Sequence, residues 1–309
     1  MRSNRSDLAR ALLALPAVAL LAVAARAADP KLPPGLDPGG QAVVLIGTGL
    51  DYQSERVSAR LARDGEGEMI AWDFVDNDRT PFAAATATAV APEATDGTTA
   101  AAALLSAYSR GRLVPVRVPE ADAMALAKAI GFATGTPARV IGIALPLATA
   151  DMRRVVKEAS VRFKDHLFVV AAELPPKSAA PKVPLPPAAA TPPSAPAADA
   201  LTNIGNVLVV AAAPDVDGRR PATVHDAVDL VVVPRGSTMF VAPPTAPPRD
   251  GAEAVALATA SAACQSHGQQ NPLLGSAAKA ATLEVSRPLE TTRAVRVLDP
   301  MCWYGGKRM

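Results

Sequence analysis

Short apolar runs alternate with amphipathic stretches along most of this chain, and that alternation predicts an α/β fold. Strands are predicted over residues 43–46, 69–75, 113–118, 140–145, 167–172, 206–212 and 230–233. Helices are predicted over 99–107, 120–133, 150–163 and 252–263, with a short helix or loop over 54–63. Because the strands are largely apolar and are separated by helices, they favour a doubly wound, mostly parallel sheet with helices on both faces.

One long proline-rich stretch interrupts this alternation. Residues 175–198 consist mostly of Pro, Ala, Ser and Lys. Proline lacks the backbone N–H that a helix or a sheet uses, so the stretch predicts an extended surface loop. We place this loop inside the domain rather than at a boundary, since the strand pattern resumes directly after it.

The N-terminus has the features of a secretory signal peptide. Three arginines precede an apolar run over 11–25, which ends in the small-x-small motif Ala25-Arg26-Ala27. The run is shorter than the ~20 residues that a membrane-spanning helix needs. We therefore predict a signal peptide over 1–27 and a mature chain that is periplasmic or secreted, with no membrane contact after cleavage.

The rest of the chain divides into three parts. Residues 28–41 are rich in Pro and Gly and predict an extended lead-in. The alternating pattern of 42–263 predicts one large domain, and 264–309 is a weakly patterned C-terminal tail. A chain of 309 residues is long enough to bury a sizeable core.

Charge and histidine spacing exclude several classes of function. The net charge is +2 and no stripe of Lys and Arg stands out, so nucleic acid is not a predicted partner. His166, His225 and His267 lie far apart, without the spacing of metal ligands. The sequence therefore predicts neither a metal nor a cofactor.

The chain has two cysteines, Cys264 and Cys302. An oxidising compartment outside the cytoplasm favours a disulfide between them, worth on the order of 3–4 kcal/mol for a loop of this size. Such a bond would tie the C-terminal tail to the helix over 252–263. The alternative is two buried or unpaired thiols.

The first strand and its turn, Ile46-Gly47-Thr48-Gly49, resemble a segment of the subtilisin-like serine peptidases. In that family the strand ends Ile-Asp-Thr-Gly and carries the catalytic aspartate. The resemblance therefore places Gly47 at the position of the aspartate. It implies a subtilisin-like fold over the predicted domain.

A second resemblance lies at the start of the helix over 99–107. Residues 73–78 are similar to the family's Asp-Phe-Val-x-x-Asp segment, and Asp96-Gly97-Thr98 is similar to the His-Gly-Thr that follows it. This match places Asp96 at the position of the catalytic histidine.

Later segments match the family in the same order. Residues 114–118 and 140–146 resemble two further strands, of which the second lines the substrate cleft in the family. Residues 170–174 parallel Val-Ala-Ala-Gly-Asn, which places Leu174 at the oxyanion asparagine. Residues 207–236 resemble the later strand pair, which ends Ala-Pro-Gly.

The position of the serine nucleophile has two possible alignments. One places Pro244 there, just before the helix over 252–263. The other places Thr238 there, with Ser237 beside it, and requires a helix to begin through several prolines. Each interior proline costs a helix about 3 kcal/mol, so we prefer Pro244.

The resemblance implies a peptidase scaffold without the peptidase chemistry. We therefore expect a catalytically inactive homologue that acts as a protein-binding or scaffold protein, whose protein or peptide partner the sequence does not identify. The proline-rich loop is a candidate contact, because extended proline segments bind aromatic grooves at low entropic cost. Substrate-like binding at 144–146 is disfavoured, because Pro146 has no backbone N–H to donate.

The alternative is an active serine-type hydrolase with a non-standard site. Ser276 and Lys279 are spaced by one helical turn, as in a Ser-x-x-Lys dyad. Asp51 and Asp76 lie near strand ends, where a carboxylate pair could act on a glycoside. We interpret the first as a chance match of a short pattern and the second as solvated turn residues.

Overall fold

The computed structural model describes residues 29–83, 97–172, 201–212, 228–232, 251–267, 273–288, 296–298, 303–304 and 307–308. The described residues from Lys31 onward form one compact unit. The predicted signal peptide and the proline-rich loop over 175–198 lie outside the described residues and stay predictions.

The main sheet is mostly parallel, as predicted. Its strands are β1 (Gln41–Gly47), β2 (Trp72–Asp73), β3 (Gly111–Arg117), β4 (Val140–Ile143), β5 (Leu167–Ala171), β6 (Val207–Ala212), β7 (Leu230–Val232), β8 (Arg287–Pro288) and β9 (Arg296–Leu298). They lie in the order β2-β3-β1-β4-β5-β6-β7-β9-β8. Each pair of neighbours is parallel except β8 and β9. A separate antiparallel pair is formed by β10 (Trp303–Tyr304) and β11 (Lys307–Arg308).

Helices cover both faces of the sheet. They are α1 (Glu55–Ser58), α2 (Gly97–Ala107), α3 (Ala123–Thr134), α4 (Ala150–Arg162), α5 (Gly251–Ser266) and α6 (Gly275–Glu284), with a 3₁₀ helix over Leu201–Asn203. Across the described part of the chain, none of the helices combines the length and apolar character that a membrane crossing requires.

Successive residues of β1 point into two different cores. Val43 and Leu45 belong to the core formed with α2, α5 and α6, whereas Val44 and Ile46 belong to the core formed with α3 and α4. This two-residue period is the geometry of a strand buried on both sides. The doubly wound architecture predicted from the apolar runs is therefore confirmed.

The helix α5 crosses the sheet at close range. Twelve of its 16 residues are buried, and seven of these twelve are alanines, which allow a helix to approach a strand closely. A β-carbon on Gly142 of β4 would lie 2.5 Å from the hydroxyl oxygen of Thr259. The core on this face consequently consists of small side chains, as the alanine-rich sequence indicates.

Two predicted elements are shorter than expected. The helix or loop over 54–63 contains only the single turn α1, and the strand over 69–75 contains only β2. The strand stops because the carboxylate of Asp73 accepts hydrogen bonds from the backbone of Val75 (2.6 Å) and Asp76 (3.1 Å). Aspartate that bonds its own backbone two and three residues on forms a turn instead of a ladder.

The residues after 263 extend the fold. The weakly patterned tail provides α6 and β9, and β9 pairs in parallel with β7. Two-residue and three-residue strands have too few positions to show a periodic pattern, which is why the sequence did not indicate them.

Candidate functional site

The carboxyl ends of β1, β3 and β4 meet at one edge of the sheet. β1 lies between the other two, and Gly47 at its end is in register with Arg117 at the end of β3. Ala144, just after β4, donates its N–H to the carbonyl of Ile46 (2.8 Å). The strands that follow β1 lie first on one side of it (β2 and β3) and then on the other (β4 to β7), so this edge is a switch point, where open α/β sheets bind ligands.

Gly47 contributes only backbone to this edge. It is buried, and its carbonyl accepts a hydrogen bond from Val118 N (2.9 Å). A β-carbon built on Gly47 would have no described atom within 4 Å. The described surroundings would therefore accept a side chain at position 47, but glycine provides no functional group there.

The first turn of α2 rests on the turn that follows β1. A β-carbon on Gly97 would lie 2.1 Å from the carbonyl oxygen of Gly49, so only glycine allows this approach. The hydroxyl of Thr98 accepts a hydrogen bond from Asp51 N (2.8 Å). The fold thus brings the residue after Asp96 to the turn after Gly47, while Asp96 itself lies outside the described residues.

The side chain of Arg117 forms hydrogen bonds to three other residues at this edge. Its Nε donates to the carbonyl of Thr48 (3.2 Å), and its Nη1 donates to Asp73 Oδ2 (3.0 Å) and Asp76 Oδ2 (3.1 Å). The side chain of Asp73 has no exposed surface, and that of Arg117 is 17% exposed. The guanidinium and the carboxylate of Asp73 therefore form a largely buried ion pair beside Gly47, and Asp76 joins it from the exposed side.

The sequence analysis missed Arg117 and Asp73 as residues of this edge. The sequence does show that each of these two apolar strands ends in a charged residue. It did not show that the two strands end side by side, since β2 and β3 are separated by α2 along the chain.

Asp51 and Asp76, considered above as a carboxylate pair that could act on a glycoside, have structural partners instead. Asp76 pairs with Arg117, as above, and Asp51 Oδ1 accepts a hydrogen bond from Gln53 N (2.9 Å) within its own turn. Such turn and ion-pair contacts are the usual use of aspartate at strand ends.

A shallow depression lies between the end of β1 and the start of α2. Its described lining is apolar or glycine, and none of these residues is ionisable: Leu45, Gly47, Gly49, Leu50, Pro81, Gly97, Pro115, Val116 and Ala144. These residues could contact an apolar group. They provide no group that could take up or donate a proton.

The backbone after β4, which the sequence resemblance compares with the family's substrate-binding strand, offers little to a peptide. Leu145 and Leu147 are buried, whereas Pro146 between them is exposed. An extended peptide would need a backbone donor here, and proline has none.

The Ser-x-x-Lys match does not form a dyad. Ser276 is exposed at the start of α6, whereas Lys279 is buried. Lys279 Nζ lies within hydrogen-bonding distance of the carbonyls of Thr202, Ile204 and Val207 and of the carboxylate of Asp229. An ammonium held by these oxygens cannot accept a proton from a serine.

The other residues singled out from the sequence are scattered or undescribed. His166 and His267 each lie beside an arginine, with Nε2 3.3 Å from Arg139 Nη1 and 3.2 Å from Arg110 Nη1 respectively. Cys264 is buried in α5. Positions Leu174, Ser237, Thr238, Pro244, His225 and Cys302 lie outside the described residues, so the alignments there and the disulfide stay predictions.

Comparison with solved structures identifies the fold as that of the subtilisin-like proteases. A cold-adapted subtilisin-like serine proteinase matches with a TM-score of 0.51 and 12% identity, over 89% of this chain and 96% of that one. A lanthipeptide protease matches with a TM-score of 0.50 and 12% identity, over 82% and 83% of the two chains. No protein-family model and no curated protein sequence matches the chain. At this identity the comparison defines the fold alone.

Proposed function

We propose that this chain is a non-catalytic protein built on the subtilisin-like fold, exported from the cytoplasm, which binds another protein or peptide. The observation that carries the proposal is Gly47. The interior strand β1 ends there without a side chain, at the position that the sequence resemblance assigns to the catalytic aspartate.

Without an aspartate side chain at position 47, the chain lacks one of the groups that the serine peptidase mechanism requires. The mechanism needs a nucleophile, a base within hydrogen-bonding reach, and a carboxylate that orients the base. Gly47 cannot orient a base. The charged side chains of Arg117, Asp73 and Asp76 at this edge are paired with one another.

The aligned positions outside the described residues support the same proposal by their chemistry. Asp96 in place of histidine is a carboxylate with an ordinary pKa of ~3.9, which is a weak base for a hydroxyl at neutral pH. Leu174 in place of asparagine has no N–H for an oxyanion, and loss of such a donor typically costs about 10²–10³-fold in kcat.

We place partner binding on the proline-rich loop over 175–198 rather than in the old substrate cleft. The cleft edge presents Pro146, which cannot donate to a peptide strand. A polyproline segment is already extended, so a partner with aromatic residues in a groove would bind it at low entropic cost.

The first experiment tests catalysis. The purified chain is treated with a fluorophosphonate probe and, separately, incubated with casein, beside an active subtilisin-like protease. We expect neither labelling nor cleavage. Labelling at Ser237, Thr238 or Ser276 that disappears in the matching alanine variant, together with loss of casein cleavage in that variant, would contradict the proposal.

The second experiment tests export and binding. N-terminal sequencing of the protein from the periplasm or the medium should begin just after residue 27. Immobilised chain should retain a partner that is lost when 175–198 is replaced by a Gly/Ser segment of equal length. Equal retention by both chains would exclude the loop as the contact.

A further inference from the structure

A group of basic and polar side chains lies at the edge of the sheet opposite to Gly47. It surrounds the start of β3, where the N–H of Gln41 in β1 donates to the carbonyl of Arg110 (3.2 Å). We call it the β3-start cluster and define it by the side chains of Arg60, Tyr108, Arg110 and His267. The cluster is therefore separate from the switch point described above.

Contacts between neighbours hold the β3-start cluster together. Arg60 Nη2 donates to the carbonyl of Gly111, the first residue of β3. A β-carbon on Gly111 would lie 2.8 Å from Cδ1 of Tyr108, so the tyrosine ring covers this part of the backbone. The rings of Tyr108 and His267 meet edge to face with 5.9 Å between their centroids. Arg110 Nη1 lies 3.2 Å from Nε2 of His267, which positions the second guanidinium group.

Neither arginine has a counter-charge within the part of the chain that the structure describes. The ion pairs of the described residues use other basic side chains. Burial lowers the pKa of Arg60, and the charge of Tyr108 is what opposes this effect. Neighbouring positive charges without a carboxylate repel each other, and a bound anion would remove that repulsion.

The hydroxyl of Tyr108 lies on the buried side of the cluster. Tyr108 is 1% exposed, and its hydroxyl has no hydrogen-bond partner among the described residues. Burial raises the pKa of Tyr108 to about 12, and the charges of Arg110 and Arg60 oppose this effect. Both guanidinium groups are thus within electrostatic reach of the hydroxyl.

Further unpartnered polar atoms lie directly before His267. Gln265 Nε2 and Ser266 Oγ, in the last two residues of α5, are buried and have no hydrogen-bond partner among the described residues. Together with the hydroxyl of Tyr108, they make three of the six such atoms in the described part of the chain. Buried polar atoms normally have a partner, so their concentration here indicates a bound ligand.

We propose that the β3-start cluster binds a tetrahedral oxyanion, phosphate or sulfate, between the guanidinium groups of Arg60 and Arg110. A guanidinium group donates parallel N–H bonds to such ions, and the hydroxyl of Tyr108 donates from the buried side. A tetrahedral ion has an oxygen for each of these three donor groups, whereas a carboxylate has only two oxygens. Arg110 is exposed and Arg60 is half-buried, so the ion reaches the site from solvent.

The test titrates phosphate and sulfate into the purified chain by calorimetry, at constant ionic strength with chloride as the reference salt. We expect saturable binding with a Kd on the order of 1 mM. Arg110→Ala should weaken binding at least about tenfold, because it removes a charged donor, and Tyr108→Phe about fivefold. Arg154→Ala removes an exposed arginine from α4 and should bind like the native chain.

Thermal unfolding of the same chains separates binding from the general effect of these salts on stability. At about ten times Kd, phosphate should raise the Tm of the native chain by about 3–5 °C more than that of Arg110→Ala. Equal gains for both chains, or the same Kd for both, would overturn the site. Acetate that binds as tightly as phosphate would overturn the assignment to a tetrahedral ion. Native-like binding by Tyr108→Phe would exclude the hydroxyl as a donor.

A measurement on the native chain is independent of these variants. Phenylglyoxal modifies guanidinium groups, and peptide mass spectrometry gives the rate at each arginine. Phosphate at about ten times Kd should slow modification of Arg110 at least about fivefold and leave Arg154 unchanged. Equal slowing of the two arginines would overturn the site. Stronger protection by O-phosphoserine than by phosphate would assign the site to a phosphate ester, and weaker protection would assign it to the free ion.

Discussion

Gly97 and Gly49 lie so close together that a β-carbon on Gly97 would be 2.1 Å from the carbonyl oxygen of Gly49. This contact brings α2 onto the end of β1, at the edge of the sheet where open α/β folds bind ligands. The backbone of this edge is therefore fixed by close packing, although Gly47 contributes no functional group to it.

The contact predicts a cost for any side chain at position 97. Gly97→Ala should lower the free energy of unfolding by about 1–3 kcal/mol, because backbone must move to admit the methyl group. Gly131→Ala is the matched control: it lies exposed in α3 with open described surroundings and should stabilise by about 0.5–1 kcal/mol. Urea denaturation measures both, and a Gly97→Ala chain as stable as the native one would contradict the close packing.

The ion pair between Arg117 and Asp73 predicts a large effect of removing the arginine. Arg117→Met leaves the buried carboxylate of Asp73 without its counter-charge and should cost on the order of 3 kcal/mol in the free energy of unfolding. Arg154→Met breaks an exposed pair with Asp151 and should cost about 0–1 kcal/mol. Adding Asp73→Asn to Arg117→Met should recover part of the loss, and strictly additive effects in this double-mutant cycle would mean that the pair does not couple.

The lowered pKa of His166 predicts that the protein is less stable in mildly acidic solution. Burial lowers the pKa of His166 from 6.5, and the nearby charge of Arg139 lowers it further. The unfolded chain therefore takes up a proton near pH 6.5 that the folded chain does not, so the free energy of unfolding falls as pH decreases below 6.5 until the folded-state pKa is reached. Urea denaturation across this window should give a shallower pH dependence for His166→Gln than for the native chain, and parallel curves would exclude His166 as the source.

The buried hydroxyl group of Tyr108 predicts that replacing the residue with phenylalanine does not lower the stability of the protein. Its ring is buried, and its hydroxyl has no hydrogen-bond partner among the described residues. Burial raises the pKa of Tyr108 to about 12, against the opposing charges of Arg110 and Arg60. Tyr108→Phe removes an unsatisfied buried group and should leave stability unchanged or raise it by up to about 1 kcal/mol. Tyr108→Ala should cost about 3–5 kcal/mol through the cavity, and a comparable cost for Tyr108→Phe would reveal a partner for the hydroxyl.

The sequence alone determined the architecture and the residue that ends the first strand. Strands buried on both faces must be apolar throughout, and helices between them must be apolar on one side, so the parallel α/β sheet is visible in local patterns. The absence of a side chain at Gly47 is a property of the residue itself and needs no coordinates.

Only the tertiary structure decided which charged residues act together. Arg117 meets Asp73 because β2 pairs with β3, and Lys279 meets Asp229 because α6 packs against β6, to which the carboxylate of Asp229 is also bonded. No local pattern marks either pair, since the partners are separated by 44 and 50 residues along the chain. The spacing of the same lysine to Ser276 matches a Ser-x-x-Lys dyad, which we interpreted as a chance match, and the structure holds Lys279 in an ion pair with Asp229 instead. Spacing along a helix shows which side chains share a face, whereas the groups they contact depend on the rest of the fold.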